Sequence, residues 1–198
     1  MVESGDGLGR RDRKKLETRA ALERAALTLV AERGLAGVTV EDIAGAVDVS
    51  SRTFFNYFPS KEDAVIGRSR LTADERLAKL AEVPADLPAL EALRLVLRQA
   101  AAESQDERDH WLLRLKVIEQ NPSLLPRLVA GGSEAERELA AAVAQRVADE
   151  GFAKLVTAVA LAAFRTAMMR WGAANGGPAL VDLVDEVFAQ VAAGLPDP

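Results

Sequence analysis

Apolar residues recur at three- and four-residue spacings from one end of this chain to the other, and β-branched and polar residues nowhere alternate over the length of a strand. That pattern restricts the 198 residues to helix packed on helix. Glycine and proline divide the pattern into about nine helices. Residues 1–9, with Gly5, Gly7 and Gly9, form a loose tail. The first helix is predicted from about Arg11 to Arg33, with Leu22, Ala26, Leu29 and Val30 on one face, and Gly34 stops it. Thr39-Val40-Glu41-Asp42 has the form of a capping box, a hydroxyl for an orphan N–H and a carboxylate reaching back. It opens a second helix whose buried stripe is Val40, Ile43, Ala44 and Val47. Asp48 falls where the chain must turn, and Ser50 starts a third helix lasting to about Tyr57. Pro59 ends that helix, and Ser60-Lys61-Glu62-Asp63 caps a long fourth towards Leu80. Beyond Pro84 and Pro88 come helices at about 90–103, 107–120, 123–150, 152–174 and 178–193; Gly131-Gly132 is expected to interrupt the third of these.

Composition excludes several chemistries. The absence of cysteine leaves no disulfide framework, thiolate metal site or thiol nucleophile, and suits a reducing cytoplasm. His110 is the only histidine, so no transition-metal site and no cofactor is expected, and the residue is placed on the surface. The basic start carries no apolar stretch before a cleavage site, which argues against a secretory signal. The most apolar region, Leu155 to Ala174, contains Arg165 and Arg170, each costing roughly 2.5–3.5 kcal/mol in hydrocarbon, so a protein-buried helix is expected and no membrane partner. Net charge is −5, yet Arg10, Arg11, Arg13, Lys14, Lys15, Arg19 and Arg24 face only Asp12, Glu17 and Glu23, a local balance of +4. Such a cationic end can neutralise phosphates, although a solvated helix end would look the same.

The stretch TVEDIAGAVDVSSRTFFNYFPSKED, Thr39 to Asp63, has the parts of a helix-turn-helix. One short helix braces another, whose N-terminal end can enter a major groove about 12 Å wide. Ala44 and Ala46 are small enough for the crossing, and Val49 plugs the corner after the turn. Phe54 and Phe58 are four apart and point inward. Ser51, Arg52, Phe55 and Asn56 remain for the groove, Arg52 being the candidate for bidentate bonding to guanine and Asn56 to adenine. Thr53 and Tyr57 offer hydroxyls to phosphate. Lys61, in the first turn of the next helix, is a candidate phosphate ligand. Lys14, Lys15, Thr39 and Ser50 complete the proposed DNA-binding set.

This run resembles the DNA-binding domain of the TetR family of regulators. The resemblance rests on Thr39, Ile43-Ala44, Val49-Ser50, Thr53 with Phe55, Tyr57 and Phe58, and Lys61-Glu62, and it spans roughly residues 15–66 without a gap. Two positions depart from the family's pattern. Asp48 stands where glycine is usual, and aspartate tolerates the left-handed turn at modest cost. Phe55 replaces a tyrosine and loses its hydroxyl, leaving contact with a thymine methyl. The run SRTFFNYFPSKEDAV together with Arg170-Trp171 is similar to an actinobacterial branch that includes the mycofactocin-system regulators, which implies an acyl-CoA-like effector.

The resemblance implies an all-α protein: a three-helix DNA-binding domain at 10–59, a linker helix at 60–82, and a ligand-binding and dimerisation domain at 83–198. It implies a cytoplasmic homodimer acting on double-stranded operator DNA as a repressor released by a small molecule. The last two helices would pair across a two-fold axis through Leu161, Arg165, Leu180, Leu183, Val184, Val187, Phe188 and Val191. Trp111, Leu115, Phe164 and Met168 are candidate pocket residues, though each equally suits ordinary core. A ligand filling that domain would displace the fourth helix and change the spacing of the two recognition helices. The rival classes are a helical enzyme, for which no nucleophile, phosphate loop or paired histidine is readable, and an interaction protein whose helix-turn-helix no longer binds DNA.

Overall fold

The structure, a computed structural model, describes residues 10–67, 73–174 and 177–195. The expected tail at 1–9 lies outside them. Among the described residues every regular element is helical. In chain order these are α1 (Arg10–Arg33), α2 (Val40–Gly45), α3 (Ser51–Phe55), α4 (Lys61–Ile66), α5 (Ala73–Glu82), α6 (Ala89–Ser104), α7 (Arg108–Gln120), α8 (Leu125–Val147), α9 (Glu150–Ala173) and α10 (Leu180–Ala192). Short 3-10 turns at Leu35–Gly37, Gln105–Glu107 and Pro122–Leu124 join some of them.

Two compact units result. The first takes the chain up to Gly67 together with Leu113–Arg127; the second takes Arg68–Leu112 and Leu128–Pro198. A division at 59 and 83 is therefore not the one the packing makes. Val117, Ile118 and Leu124 join Leu22, Ala26, Leu27, Val30, Ile43, Phe54 and Phe58 in one apolar core, so the second half of α7 belongs with the N-terminal helices. Leu27 is fully buried there and Leu29 only partly. Ala46, expected at the helix crossing, is exposed, and Ala44 alone supplies the small buried side chain.

The fourth helix is not continuous. α4 ends at Gly67, whose φ of 62° closes the turn with its N–H donating to the Asp63 carbonyl at 3.1 Å. A Cβ at this position would also stand 2.6 Å from Nη2 of Arg114, so that the guanidinium would have to shift to admit a side chain. The opposite holds at Gly131-Gly132, where α8 runs through both glycines without a break. Neither has an atom within 4 Å of a Cβ position, so the helix simply carries them. It stops at Ala148, φ 54°, after which Asp149 caps α9 by accepting from the Phe152 N–H at 2.9 Å.

The second unit is built on α6, α9 and α10. Ala153, Ala160, Ala163 and Ala167 form a buried small-residue face on α9 that admits its neighbours closely. Leu180, Leu183, Val184, Val187 and Phe188 of α10 are buried in the same core, each contributing about 1.5–3 kcal/mol by leaving water. Charged side chains fasten the edges: Arg94 bonds Glu91 and Asp185, Arg98 reaches Asp185 at 2.9 Å, and Arg170 reaches Glu186 at 3.0 Å. The bond from Arg94 holds the Glu91 carboxyl below the usual carboxylate range. Helix ends are closed by side chains distant in sequence. Arg108 donates to the Trp171 and Gly172 carbonyls at 3.1 and 2.9 Å, Arg146 to those of Leu80, Val83 and Pro84, and the Leu180 N–H donates to Oε1 of Gln105 at 2.7 Å. By length and composition α9 is apolar enough to cross a bilayer. One face packs on α6 and α10, and Arg165 and Arg170 are exposed.

Candidate nucleic-acid interface

The recognition element is held by caps at both of its helices. Thr39 accepts from the Asp42 N–H at 3.1 Å, and Asp42 accepts from the Thr39 N–H at 2.8 Å, which completes the box that starts α2. Bonds from the Thr39 hydroxyl and N–H hold the Asp42 carboxyl below its ordinary value of 3.8, with Arg33 adding a weaker attraction. Asp48 takes the left-handed turn at φ 54°. Ser50 then caps α3, accepting from the Thr53 N–H at 3.1 Å while its hydroxyl lies 2.9 Å from that of Thr53. The Ser51 hydroxyl donates to Glu41 at 3.3 Å and ties α3 to α2. Phe54 and Phe58 are buried, their centroids 5.6 Å apart.

These bonds divide the proposed DNA-binding residues into two groups. Thr39, Ser50, Ser51 and Thr53 use their hydroxyls inside the module. Arg52, Phe55 and Asn56 face solvent, and Arg52 has no partner among the described residues. Phe55 is 55% exposed and stands edge-on to Phe54 with centroids 5.6 Å apart. Lys14 and Lys15 are exposed on α1, and Tyr57 is half-buried.

Lys61 is placed otherwise than expected. Its ammonium is partly buried and donates to the main-chain carbonyls of Leu35 and Val38, both at 2.7 Å. Other charged residues of this unit also have structural work that their sequence positions do not announce. The Arg19 guanidinium lies 4.6 Å over the Phe58 ring and pairs with Glu23 at 3.2 Å, so one of the seven basic residues belongs to the packing. Arg127 bonds Ser60 and Asp63 at 3.2 and 3.1 Å. The separation of 64 residues between Arg127 and Asp63 gave no local signal for that pair.

The residues expected at the pocket and the subunit interface disperse. Trp111, Phe164 and Met168 pack on the core of the second unit, whereas Leu115 falls in the first. His110 is half-buried, not on the surface. Among the described residues, one opening in the second unit lies elsewhere: a groove of about 830 Å³ whose lining includes Ala140, Ala141, Ala144 and Ala148 together with Arg137 and Lys154. Leu180, Leu183, Val184, Val187 and Phe188 are buried within a single chain, so they cannot offer a surface to a second one. Leu161 and Val191 are half-buried against that core, and Arg165 is exposed. The apolar surface left open is a stripe on α9, where Phe152, Leu155 and Met169 are 49, 62 and 53% exposed.

Comparison with known proteins matches both units. Residues 23–65 match the profile of bacterial regulatory proteins of the tetR family, and residues 87–196 match that of the MftR C-terminal domain. The HTH-type transcriptional regulator TcmR of Streptomyces glaucescens is 33% identical over 177 residues, covering 84% of this chain and 78% of that protein. EthR of Mycobacterium tuberculosis is 41% identical over 69 residues, a third of each chain. Among solved structures, the FadR repressor of Thermus thermophilus in complex with lauroyl-CoA aligns with a TM-score of 0.57 at 23% identity, over 91% of this chain and 96% of that one. FadR of Bacillus halodurans aligns with a TM-score of 0.58 at 20% identity, over 91% and 97%.

Proposed function

The chain belongs to the tetR family of bacterial regulatory proteins, and from that premise we propose that it is a repressor that grips a palindromic operator as a homodimer and lets go when a small amphipathic acyl compound binds. The observation that carries the DNA half is the triad Arg52, Phe55 and Asn56, held outward on a helix whose start is capped by Ser50. Arg52 reads guanine, Asn56 reads adenine, and Phe55 covers a thymine methyl. Lys14 and Lys15 supply sequence-independent attraction to phosphate. No nucleophile or paired acid and base contributes to this reading.

Two copies are required because one recognition helix reads too few bases, and a two-fold pair reaches half-sites about 34–36 Å apart. The exposed stripe Phe152, Leu155 and Met169 on α9 is the surface offered to the second copy. The acyl class of the effector is suggested by the lauroyl-CoA of the Thermus relative. The groove of about 830 Å³ beside the alanines of α8 lies within the range of small-molecule sites, roughly 300–1,000 Å³. Binding shifts the protein between two states by the difference of its affinities for them.

Selection of genomic fragments by the purified protein tests this reading. A palindromic sequence is expected, bound as a dimer, with affinity falling on addition of lauroyl-CoA. Replacement of Arg52 by alanine changes the preferred base at one position per half-site. A protein that binds all fragments equally, or that stays on the operator at saturating acyl-CoA, overturns the operator or the effector part respectively.

A further inference from the structure

We infer that Lys61 is a positioning residue of the recognition module, acting through the main chain and not through a phosphate. The inference rests on the operator reading above. Lys61 is the first residue of α4, and two of its three N–H directions are taken by carbonyls at 2.7 Å. Both carbonyls belong to the turn between α1 and α2. Val38 directly precedes Thr39, the residue whose box sets where α2 begins. α2 in turn holds α3: Val49 donates to the Ala44 carbonyl at 3.0 Å, and Ser51 donates to Glu41 at 3.3 Å. From Lys61 the connection therefore runs to the Val38 carbonyl, along the chain to Thr39 and its bonds with Asp42, and from the adjacent Glu41 to Ser51, the neighbour of Arg52.

The arrangement has a chemical logic. A carbonyl pair at the end of a 3-10 turn is an acceptor site, and a partly buried ammonium satisfies it with charge-assisted bonds. An ammonium aimed at these oxygens is turned towards its own chain. Its removal lets the turn move, and with it the α2 start that aims Arg52.

Salt titration of operator binding separates a positioning role from a phosphate contact. Each phosphate contact contributes about 0.9 to the slope of log K against log salt. Binding of the selected operator is measured from 50 to 200 mM salt for the native protein, Lys61→Met, Lys61→Gln and Lys15→Met, with thermal unfolding of each. Lys61→Met is expected to weaken binding about tenfold at every salt concentration, with the slope unchanged and the unfolding midpoint lowered. Lys61→Gln has no charge and is one bond shorter, but its amide still donates two N–H groups; it should recover most of the affinity at the native slope. Lys15→Met should lower the slope by about 0.9 without touching the midpoint. A slope lowered by about 0.9 in both Lys61 variants, at native midpoints, overturns the inference and restores a phosphate contact. A native protein that selects no fragment overturns the operator reading instead. The clamp itself is still decided in that case, since an unchanged midpoint in Lys61→Met refutes it.

Discussion

Gly172→Ala is the sharpest probe of how the second unit is held together. Gly172 lies near the end of α9, where the Trp111 ring of α7 rests on its main chain. A Cβ built there would stand 2.0 Å from Cζ3 of Trp111, 2.8 Å from Cη2 and 2.9 Å from Cε3. Carbon atoms in contact sit about 3.5–4.0 Å apart, so the ring must retreat by about 1.5 Å. It has little room to do so. The Trp171 ring lies 6.1 Å away at 49°, and Arg108 pins the carbonyls of residues 171 and 172. Overpacking of this kind costs about 1–3 kcal/mol, and each kcal/mol moves the midpoint of a chain this size by about 2–4 °C. The variant should therefore unfold about 2–12 °C below the native protein. The chain has two tryptophans, and both are in this contact, so intrinsic fluorescence follows the unit directly. Calorimetry of the double variant Gly172→Ala with Trp111→Leu supplies the control, for without the indole the added methyl should cost almost nothing further. A single variant melting within 1 °C of native would refute the ring-on-glycine packing.

Four other outcomes follow from the geometry. If Phe55 covers a thymine methyl, replacing that thymine by uracil in the operator exposes one methyl's worth of apolar surface, about 0.8 kcal/mol or fourfold in Kd, and the penalty should vanish in Phe55→Ala; equal penalties in both proteins would place the methyl elsewhere. Thr39→Ala removes the cap of α2 and should cost about 1 kcal/mol in the unfolding of the first unit, read by denaturant titration. Its partner Asp42 has a carboxyl held below 3.8, so its bonds stabilise the fold fully above that value and are lost as pH falls through the lowered one; Asp42→Asn should flatten this acid limb, and an unaltered limb would exclude the carboxylate. Leu155→Glu places a charge on the open stripe of α9 and should yield monomers in sedimentation with native helix content, whereas an unchanged dimer would move the interface off α9.

The local grammar of the recognition module was legible residue by residue. Thr39 with Asp42, Ser50 before α3, aspartate in the left-handed turn and Phe54 with Phe58 inward are all set by neighbours within four positions, where spacing dictates geometry. The break at Gly67 was hidden because a single glycine inside a helical pattern does not announce whether it will take the left-handed turn, φ 62°, that ends α4. The bonds of Lys61 were hidden as well: local logic makes a lysine in the first turn of a helix a candidate phosphate ligand, and only the fold brings the Leu35 and Val38 carbonyls to it. The first unit's use of Leu113–Arg127 is a longer-range case still, since an amphipathic helix does not announce which core it enters.

The apolar stripes of α9 and α10 show what such patterns leave undecided. Hydrophobic periodicity reports that a face leaves water; it carries no sign of whether the same chain or another covers it. α10 has the broader and more aliphatic stripe, and by composition alone it is the better candidate for a second subunit. Yet α9 is lined on one face with alanines, and small residues draw helices together, so α10 and α6 close over that face and use the Leu and Val side chains of α10 within one chain. The consequence falls on α9. Helices of 24 residues apolar around most of their girth cannot be covered by two neighbours, and the side left over carries Phe152, Leu155 and Met169. An aromatic, a leucine and a methionine in solvent on one helix face is an unfavourable surface for a lone subunit, and a two-fold copy of the same stripe is the simplest partner that removes it from water without a further protein.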